Sequence, residues 1–238
     1  MSARVIAHRG CPRHGTENSL AGIRLAAELG ADGVEIDVQR TLDGQLFLHH
    51  DHTLWRVARV PLPMWLLPAR VVYRLAAKRS GALPTFEHAL GALPPSLLLA
   101  VDIKHPSAGA AVLRAVQARR LQDVVLLWSK SASLCAKLVA EGPGVEVALL
   151  RDARGRKALQ RFLRDAKPAG TQAISAHWDE ARAGFISAAH TRGLKVYAMA
   201  RNAESQRSKF ALGLDGVVTD WPEEALQARD QSSTPGIQ

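Results

Sequence analysis

Gly33-Val34-Glu35-Ile36-Asp37-Val38 and Gln45-Leu46-Phe47-Leu48-His49-His50-Asp51 are two apolar, alternating runs separated only by Gln39-Arg40-Thr41-Leu42-Asp43-Gly44. Read as strands over 33–38 and 46–50, they stand too close for a helical crossover and are joined by an Asp-Gly turn signal. Elsewhere the spacing is wider. Apolar runs at 4–8, 98–103, 123–128, 145–150, 172–176, 194–199 and 215–219 alternate with amphipathic stretches. The helical patterns fall at 18–29, 107–119, 131–141, 153–166, 179–192, 204–212 and 222–229. Strand–helix alternation predicts a parallel sheet with right-handed crossovers. Nine strand candidates exceed the eight of an α/β barrel, so one of the pair 33–38 and 46–50 is expected outside the barrel order. An open doubly wound sheet is the competing architecture.

Residues 56–82 break the rhythm. Pro61, Pro63 and Pro68 come early; the remainder reads as one basic helix with Arg70, Arg74 and Lys78 on one stripe and Val71 and Leu75 on another. This segment is expected to be an insertion covering the barrel mouth. With Trp65, Leu66 and Leu67 beside the basic stripe, 65–79 resembles an interfacial helix and is a candidate for transient contact with a membrane surface. The Arg-rich run from Arg151 to Lys167 reads as an ordinary solvated helix. Residues 230–238 read as a loose tail.

The 238 residues fit one large α/β domain, and a hydrophobic fraction of 47% supports a sizeable core. A formal charge of +9 draws the chain to polyanions: nucleic acid, an anionic membrane face or phosphate substrates. With only 5% aromatic residues and no Gly-aromatic RNA-binding signature, nucleic acid is not the expected partner. No apolar run is long enough to span a bilayer, and Met-Ser-Ala-Arg leads directly into an apparent strand rather than a secretory signal. The expected location is cytoplasmic, with peripheral membrane contact allowed. Cys11 and Cys135 are too few for a disulfide framework.

Polar residues gather where the strands end. The first candidate ends in His8-Arg9-Gly10, the second carries Glu35 and Asp37, the third ends in His49-His50-Asp51, and 98–103 carries Asp102 and leads into Lys104. The carboxyl ends of barrel strands are where barrel enzymes build their sites. Glu35 and Asp37 alternate with Ile36, so they share one strand face, which in a barrel is the interior. Two buried carboxylates side by side repel and raise at least one pKa. A divalent cation removes that cost, with Asp102 as a third oxygen ligand, and carboxylates suit Mg²⁺ or Ca²⁺ rather than zinc. His8 and His50 suit the two proton transfers that phosphodiester hydrolysis needs, one at the nucleophile and one at the leaving oxygen. Arg9 and Lys104 would neutralise phosphate oxygens.

Taken in order, eight pieces resemble the glycerophosphodiester phosphodiesterase family. They are His8-Arg9-Gly10, Glu17-Asn18-Ser19, Gly30-Ala31-Asp32-Gly33-Val34-Glu35-Ile36-Asp37, Thr41-x-Asp43-Gly44, His50-Asp51, Pro84-Thr85-Phe86-Glu87, Asp102-Ile103-Lys104, and Gly213-Leu214-Asp215-Gly216-Val217-Val218-Thr219-Asp220-Trp221-Pro222. The resemblance implies an α/β fold, a (β/α)8 TIM-type barrel over residues 1–229 with the small insertion at 56–82. It implies catalytic His8 and His50, a Mg²⁺ or Ca²⁺ ion on Glu35, Asp37 and Asp102, and substrate contacts from Arg9 and Lys104. The implied substrate is a small-molecule glycerophosphodiester, released as glycerol 3-phosphate and an alcohol. In the implied reaction the substrate's own neighbouring hydroxyl attacks first, and the resulting cyclic phosphate is then opened.

Three departures from the family pattern stand out. Asp102 replaces the usual Glu and is one methylene shorter, an arrangement similar to that of phospholipase-D-type toxins. Met199-Ala200-Arg201-Asn202 stands where the family often carries Trp-Thr-Val-Asn. The insertion is more apolar and basic than soluble diesters require. These departures motivate two alternatives: a lysophospholipase D, and a non-catalytic phosphate- or lipid-binding barrel. Of the neighbouring residues, His49 is expected to be structural because it points to the opposite strand face. Asp220 is likewise expected to be structural, and Cys11 inert. Glu17 and Asn18 read either as caps of the helix that follows or, by resemblance for Glu17, as neighbours of the site.

Overall fold

The structure, a computed structural model, describes residues 3–79, 83–200 and 209–233. Eight parallel strands form the barrel wall. In chain order these are β1 (Arg4–Ala7), β2 (Gly33–Arg40), β4 (Leu98–Ile103), β5 (Val125–Ser129), β6 (Glu146–Arg151), β7 (Ala173–Ala176), β8 (Lys195–Ala200) and β9 (Gly216–Thr219). Each pairs with its neighbour, and β1 pairs with both β9 and β2, through Ile6↔Gly33 and Ala7↔Val34. That last pairing closes the sheet and excludes the open doubly wound alternative.

The ninth strand, β3 (Leu46–Leu48), is the supernumerary one. It runs antiparallel to the end of β2, with Val38↔Leu48 and Arg40↔Leu46 in register. The turn that joins them is held by its own polar residues. Thr41 Oγ1 donates to Asp43 Oδ1 (2.6 Å), Gln45 N donates to Thr41 Oγ1 (2.9 Å), and Gly44 takes φ +97°.

Helices fill the crossovers: α1 (Leu20–Glu28), α4 (Phe86–Ala92), α5 (Gly109–Ala118), α6 (Ala132–Glu141), α7 (Arg156–Ala166), α8 (Ala183–His190) and α9 (Pro222–Ser233). Strand alternation then sorts side chains between two cores. Val34, Ile36, Val101, Leu127 and Val147 face the helices in the outer core. Ile6, Ala100, Leu126, Trp128, Ala148, Ala173, Tyr197 and Val218 fill the barrel itself. Below them, Tyr197 Oη donates to Glu146 Oε1 (2.8 Å) and Arg4 Nη1 donates to Tyr197 Oη (2.9 Å), closing the amino-terminal mouth with polar groups. The carboxyl-terminal mouth stays open.

The 56–82 insertion has its own small core. It holds α2 (Trp55–Ala58), a tight turn at Met64–Leu66 and α3 (Ala69–Ala77), with residues 80–82 outside the described region. Leu54, Ala58, Met64 and Val72 bury against Phe47 of β3. Asp43 caps α3 by accepting from Ala69 N at 2.9 Å, a service that Pro68 cannot supply. The basic helix expected after the prolines is α3, preceded by the separate short helix α2 and the turn, and its Arg70, Arg74 and Lys78 stripe faces solvent.

Other boundaries move too. The 18–29 helix starts at Leu20, with Ser19 Oγ accepting from Gly22 N. The tail is ordered at its start, because α9 runs on through Ser233. An unanticipated helix, α4, follows Thr85, whose side chain accepts from His88 N. The 204–212 helical stretch lies outside the described residues up to 208, with helical turn geometry at 209–210. No helix among the described residues is long and apolar enough to cross a membrane.

Candidate active site

Barrel register brings the acidic residues together. Asp37 of β2 stands directly opposite Asp102 of β4, and Glu35 lies one pleat below Asp37 on the same inward face. Glu35, Asp37 and Asp102 are all buried, and each offers a carboxylate oxygen within 4.8 Å of the others. Such a cluster is unfavourable without compensating charge. Burial first, and the Asp37 carboxylate second, push Glu35 up to about 7. Asp37 goes the other way. Burial would raise it, but Lys104, Arg9 and Asn18 outweigh burial and hold it below the usual carboxylate range.

Lys104 is the nearest compensating cation. Its Nζ lies 2.6 Å from Asp37 Oδ1 and also hydrogen-bonds Asp102. Burial disfavours its charge, yet Asp37, Asp102 and Glu35 reverse that and raise its pKa above the ordinary lysine value. The structure thus places Lys104 on the carboxylates, at the edge of the pocket where the sequence anticipated a phosphate contact.

Asn18, expected as a helix cap, does something else. Its Nδ2 donates to Asp37 Oδ2 (2.8 Å), and Asp37 N donates to Asn18 Oδ1 (2.9 Å). This two-point bracket fixes both the backbone and the carboxylate of Asp37. Asn18 adopts φ +54° to make it, a conformation that asparagine tolerates better than most residues.

The His8–Gly10 turn at the end of β1 supplies the opposite wall. Arg9 N donates to Glu35 Oε2 (3.0 Å), and Arg9 Nε lies 3.2 Å from Asp37 Oδ2. Arg9 itself takes φ +46°, the left-handed region that costs a residue with a Cβ on the order of 1–2 kcal/mol. The turn is pressed onto α1 through two glycines. A Cβ on Gly22 would meet the carbonyl oxygen of Gly10 at 2.0 Å, so the helix can approach this closely only without one.

Both histidines line the same pocket, and each has its Nδ1 held by a carboxylate. His8 Nδ1 is 2.6 Å from Asp220 Oδ1, and His50 Nδ1 is 2.8 Å from Asp51 Oδ1. Among the described residues neither Nε2 has a hydrogen-bond partner, which leaves those nitrogens facing the pocket. Burial lowers the pKa of His50. Asp220, read from sequence as structural, is therefore the residue that orients His8, and its own pKa is lowered by the His8 contact against the effect of burial. His49 matches its expected role: it is buried, with Nε2 on the Thr53 carbonyl at 3.0 Å. Cys11 also fits, since burial pushes its thiol up to about 11 and keeps it protonated.

A charged chain links the two histidine sides, and sequence reasoning missed its centre. Arg56 of the insertion donates from Nε to Asp51 Oδ2 (2.8 Å) and from Nη2 to Glu17, while Glu17 Oε2 accepts from Arg9 Nη1 (3.1 Å). Asp51 is held down to about 2 by His50 and Arg56 despite burial. The motif positions of Glu17 and Asp51 hinted at this arrangement. Arg56 carried no signal beyond its place at the start of the insertion.

The pocket measures about 310 Å³ and is lined by His8, Arg9, Glu35, Asp37, His50, Asp102 and Lys104 together with Lys130, Arg151, Ser175, His177 and Met199. Arg201 and Asn202, part of the late motif that departs from the family pattern, lie outside the described residues.

Residues 8–224 match the family model described as the glycerophosphoryl diester phosphodiesterase family. The chain is 27% identical over 256 residues to a glycerophosphodiester phosphodiesterase of Bacillus altitudinis, covering 96% of this chain and 98% of the relative. Among solved structures it resembles a glycerophosphodiester phosphodiesterase from Parabacteroides distasonis, with TM-score 0.84 at 20% identity over 98% of this chain and 99% of that one. It also resembles an Oleispira antarctica phosphodiesterase solved with the product sn-glycerol-3-phosphate, with TM-score 0.82 at 22% identity over 96% and 97% of the two chains. With the family model spanning nearly its whole length, this closed (β/α)8 barrel belongs to the glycerophosphoryl diester phosphodiesterase family and is a phosphodiester hydrolase.

Proposed function

We propose that the protein hydrolyses small glycerophosphodiesters to glycerol 3-phosphate and an alcohol, with a divalent cation at Glu35, Asp37 and Asp102 and with His8 and His50 as the proton-transfer pair. The observation that carries this reading is the convergence of three buried carboxylates and two Nδ1-anchored histidines on one pocket. The carboxylates fit a hard cation: three carboxylate oxygens lie close together and buried, with Lys104 the ammonium that now sits against Asp37 and Asp102. Such an ion, Mg²⁺ or Ca²⁺, would stabilise negative charge on the phosphoryl oxygens.

The remaining work falls to the chain's own residues. Arg9 and Lys104 add positive charge at the pocket wall and favour a bound phosphate. Asp220 and Asp51 fix the two imidazole rings so that each presents Nε2. One Nε2 takes the proton from the attacking hydroxyl, that of the neighbouring carbon of the glycerol moiety; the other gives a proton to the departing alcohol oxygen. Exchange of roles then lets water open the cyclic phosphate.

A second substrate, a lysophospholipid, is favoured by one feature of the insertion. Trp55, Leu62 and Leu66 are 52%, 45% and 55% exposed, beside the solvent-facing arginines of α2 and α3. Exposed apolar side chains flanked by basic ones suit contact with a membrane surface or an acyl chain. Of Trp65, Leu66 and Leu67, only Leu66 has this exposure; Trp65 stacks on His105 with ring centroids 4.6 Å apart.

The test is hydrolysis of glycerophosphocholine and lysophosphatidylcholine side by side with Mg²⁺, Ca²⁺ or EDTA. Metal-dependent release of glycerol 3-phosphate from the short diester supports the first reading. Faster release of choline from the lysolipid would move the assignment to the second. Tight binding without turnover in any metal would leave a binding barrel.

A further inference from the structure

The pocket does not end at its own rim. Lys130, Leu150, Arg151 and Asp152 also line a second, open groove of about 830 Å³ that runs over the β6–α7 loop and the first turns of α7. The Arg-rich run expected to be only a solvated helix therefore forms a wall continuous with the site. The groove presents Lys130, Arg151, Arg154, Arg156, Lys157 and Arg161 against a single acid, Asp152.

Two of these cations are already neutralised or engaged. Arg151 pairs with Asp165 (2.9 Å), and Arg154 lies 3.5 Å from Asp152 and 3.0 Å from His177 Nε2. Lys130, Arg156, Lys157 and Arg161 have no acidic partner within 4.0 Å among the described residues. Four uncompensated cations along one concave wall repel one another and focus positive potential into the groove, which an anion relieves. Among the described residues the groove lining contains no aromatic side chain, so it lacks the stacking platforms of single-stranded nucleic-acid channels. The exposed apolar residues of the insertion are not part of this wall either, which distinguishes it from a lipid-docking face.

We propose that this groove is a specificity subsite for a second phosphate, carried by the leaving alcohol, so that the preferred substrates are glycerophosphodiesters whose alcohol bears a phosphate monoester. The inference rests on the diester hydrolysis proposed above. The scissile phosphate sits at the carboxylate–histidine pocket, and the alcohol leads outward past Lys130 and Arg151 into the groove. Arginine forks and lysine ammonium groups there match the oxygens of a terminal phosphate.

The discriminating pair of probes is glycerophosphoinositol and glycerophosphoinositol 4-phosphate, which differ by one phosphate on the same leaving alcohol. The wild type is expected to show kcat/KM about tenfold or more higher for the phosphorylated probe, mainly through KM, the sum of several modest surface contacts. Added salt should erode that preference. The double variant Arg156→Glu/Arg161→Glu should abolish the preference while holding the unphosphorylated probe to within about twofold, because both side chains are exposed and stand apart from the carboxylate–histidine cluster. Equal rates on both probes in the wild type, a preference that survives charge reversal, or equal losses on both probes would each overturn the subsite. Failure on both probes with turnover of glycerophosphocholine would overturn the subsite alone, and failure on all three would overturn the diester reading and the subsite with it.

Discussion

His8 Nδ1 and Asp220 Oδ1 lie 2.6 Å apart although 212 positions separate them in the chain. The contact exists because β1 pairs with β9 in parallel, Ala7 against Thr219, so the residues that follow each strand emerge side by side at the carboxyl-terminal mouth. A carboxylate on Nδ1 sets the tautomer and ring orientation of an imidazole and stabilises its protonated form. Asp220→Asn is therefore expected to lower kcat on the order of 10–10³-fold with little change in KM. Steady-state kinetics checks this. A loss confined to KM would assign Asp220 to substrate binding instead.

As a proposed metal ligand, Glu35 would link cation binding to pH. Its folded-state pKa, about 7, is raised above the ordinary carboxylate value. Between those two values the folded chain holds a proton that the unfolded chain has lost, so metal-free stability falls as pH rises through that window. A cation that requires the deprotonated carboxylate competes with that proton. The thermal shift produced by Mg²⁺ or Ca²⁺ over EDTA should thus be larger at about pH 8 than at about pH 5. Glu35→Gln should flatten both trends. A metal-induced shift independent of pH and of Glu35 would contradict the assigned ligand set.

Arg56 holds the insertion to the site through Asp51 and Glu17. Its guanidinium is about half exposed, so Arg56→Ala is expected to cost under about 1 kcal/mol of stability. Activity should suffer more, because Asp51 orients His50 and Glu17 holds Arg9. The depressed pKa values of Asp51, about 2, and of Glu17 also predict acid lability. Their stabilisation is present above the unfolded carboxylate value, near 4, and is lost as pH falls below it, for Asp51 down to about 2. Thermal melts over that range should show a shallower decline in the variant than in the wild type.

Gly22→Ala tests the packing that seats the His8–Gly10 turn. The added Cβ would lie 2.0 Å from the Gly10 carbonyl oxygen, and the atoms it meets are backbone that cannot swing aside. The expected destabilisation is about 1–3 kcal/mol, accompanied by loss of activity as His8 and Arg9 shift. Thermal unfolding and kcat, measured together, check it. A stable, fully active variant would show that the turn does not depend on this contact.

The parts of this architecture that were legible in the sequence are local. Eight staves show as apolar runs, and Glu35, Asp37, His50 and Asp102 show because polar residues interrupt those runs where a barrel strand meets the mouth. The short Thr41–Gly44 turn marked the 33–38/46–50 pair as irregular, and β3 proves to be the strand left outside. What depends on distant closure was not legible. Asp220 meets His8 only once β9 lies beside β1. Arg56 looks like any surface arginine until Asp51 and Glu17 converge on it. Asn18 resembles a helix cap because it precedes one, yet the true cap is its neighbour Ser19. The cationic wall of α7 has the pattern of a solvated helix, and only the fold aims its first turns at a groove joined to the pocket.

The central claim is that His8 and His50 carry the proton transfers of a diester hydrolysis performed at the carboxylate trio. The most direct measurement is kcat for glycerol 3-phosphate release from glycerophosphocholine by the wild type, His8→Ala and His50→Ala, each with saturating Mg²⁺ or Ca²⁺. The account predicts metal-dependent turnover in the wild type and a loss of at least roughly 10²–10⁴-fold in each variant. Near-wild-type turnover in either variant would contradict it.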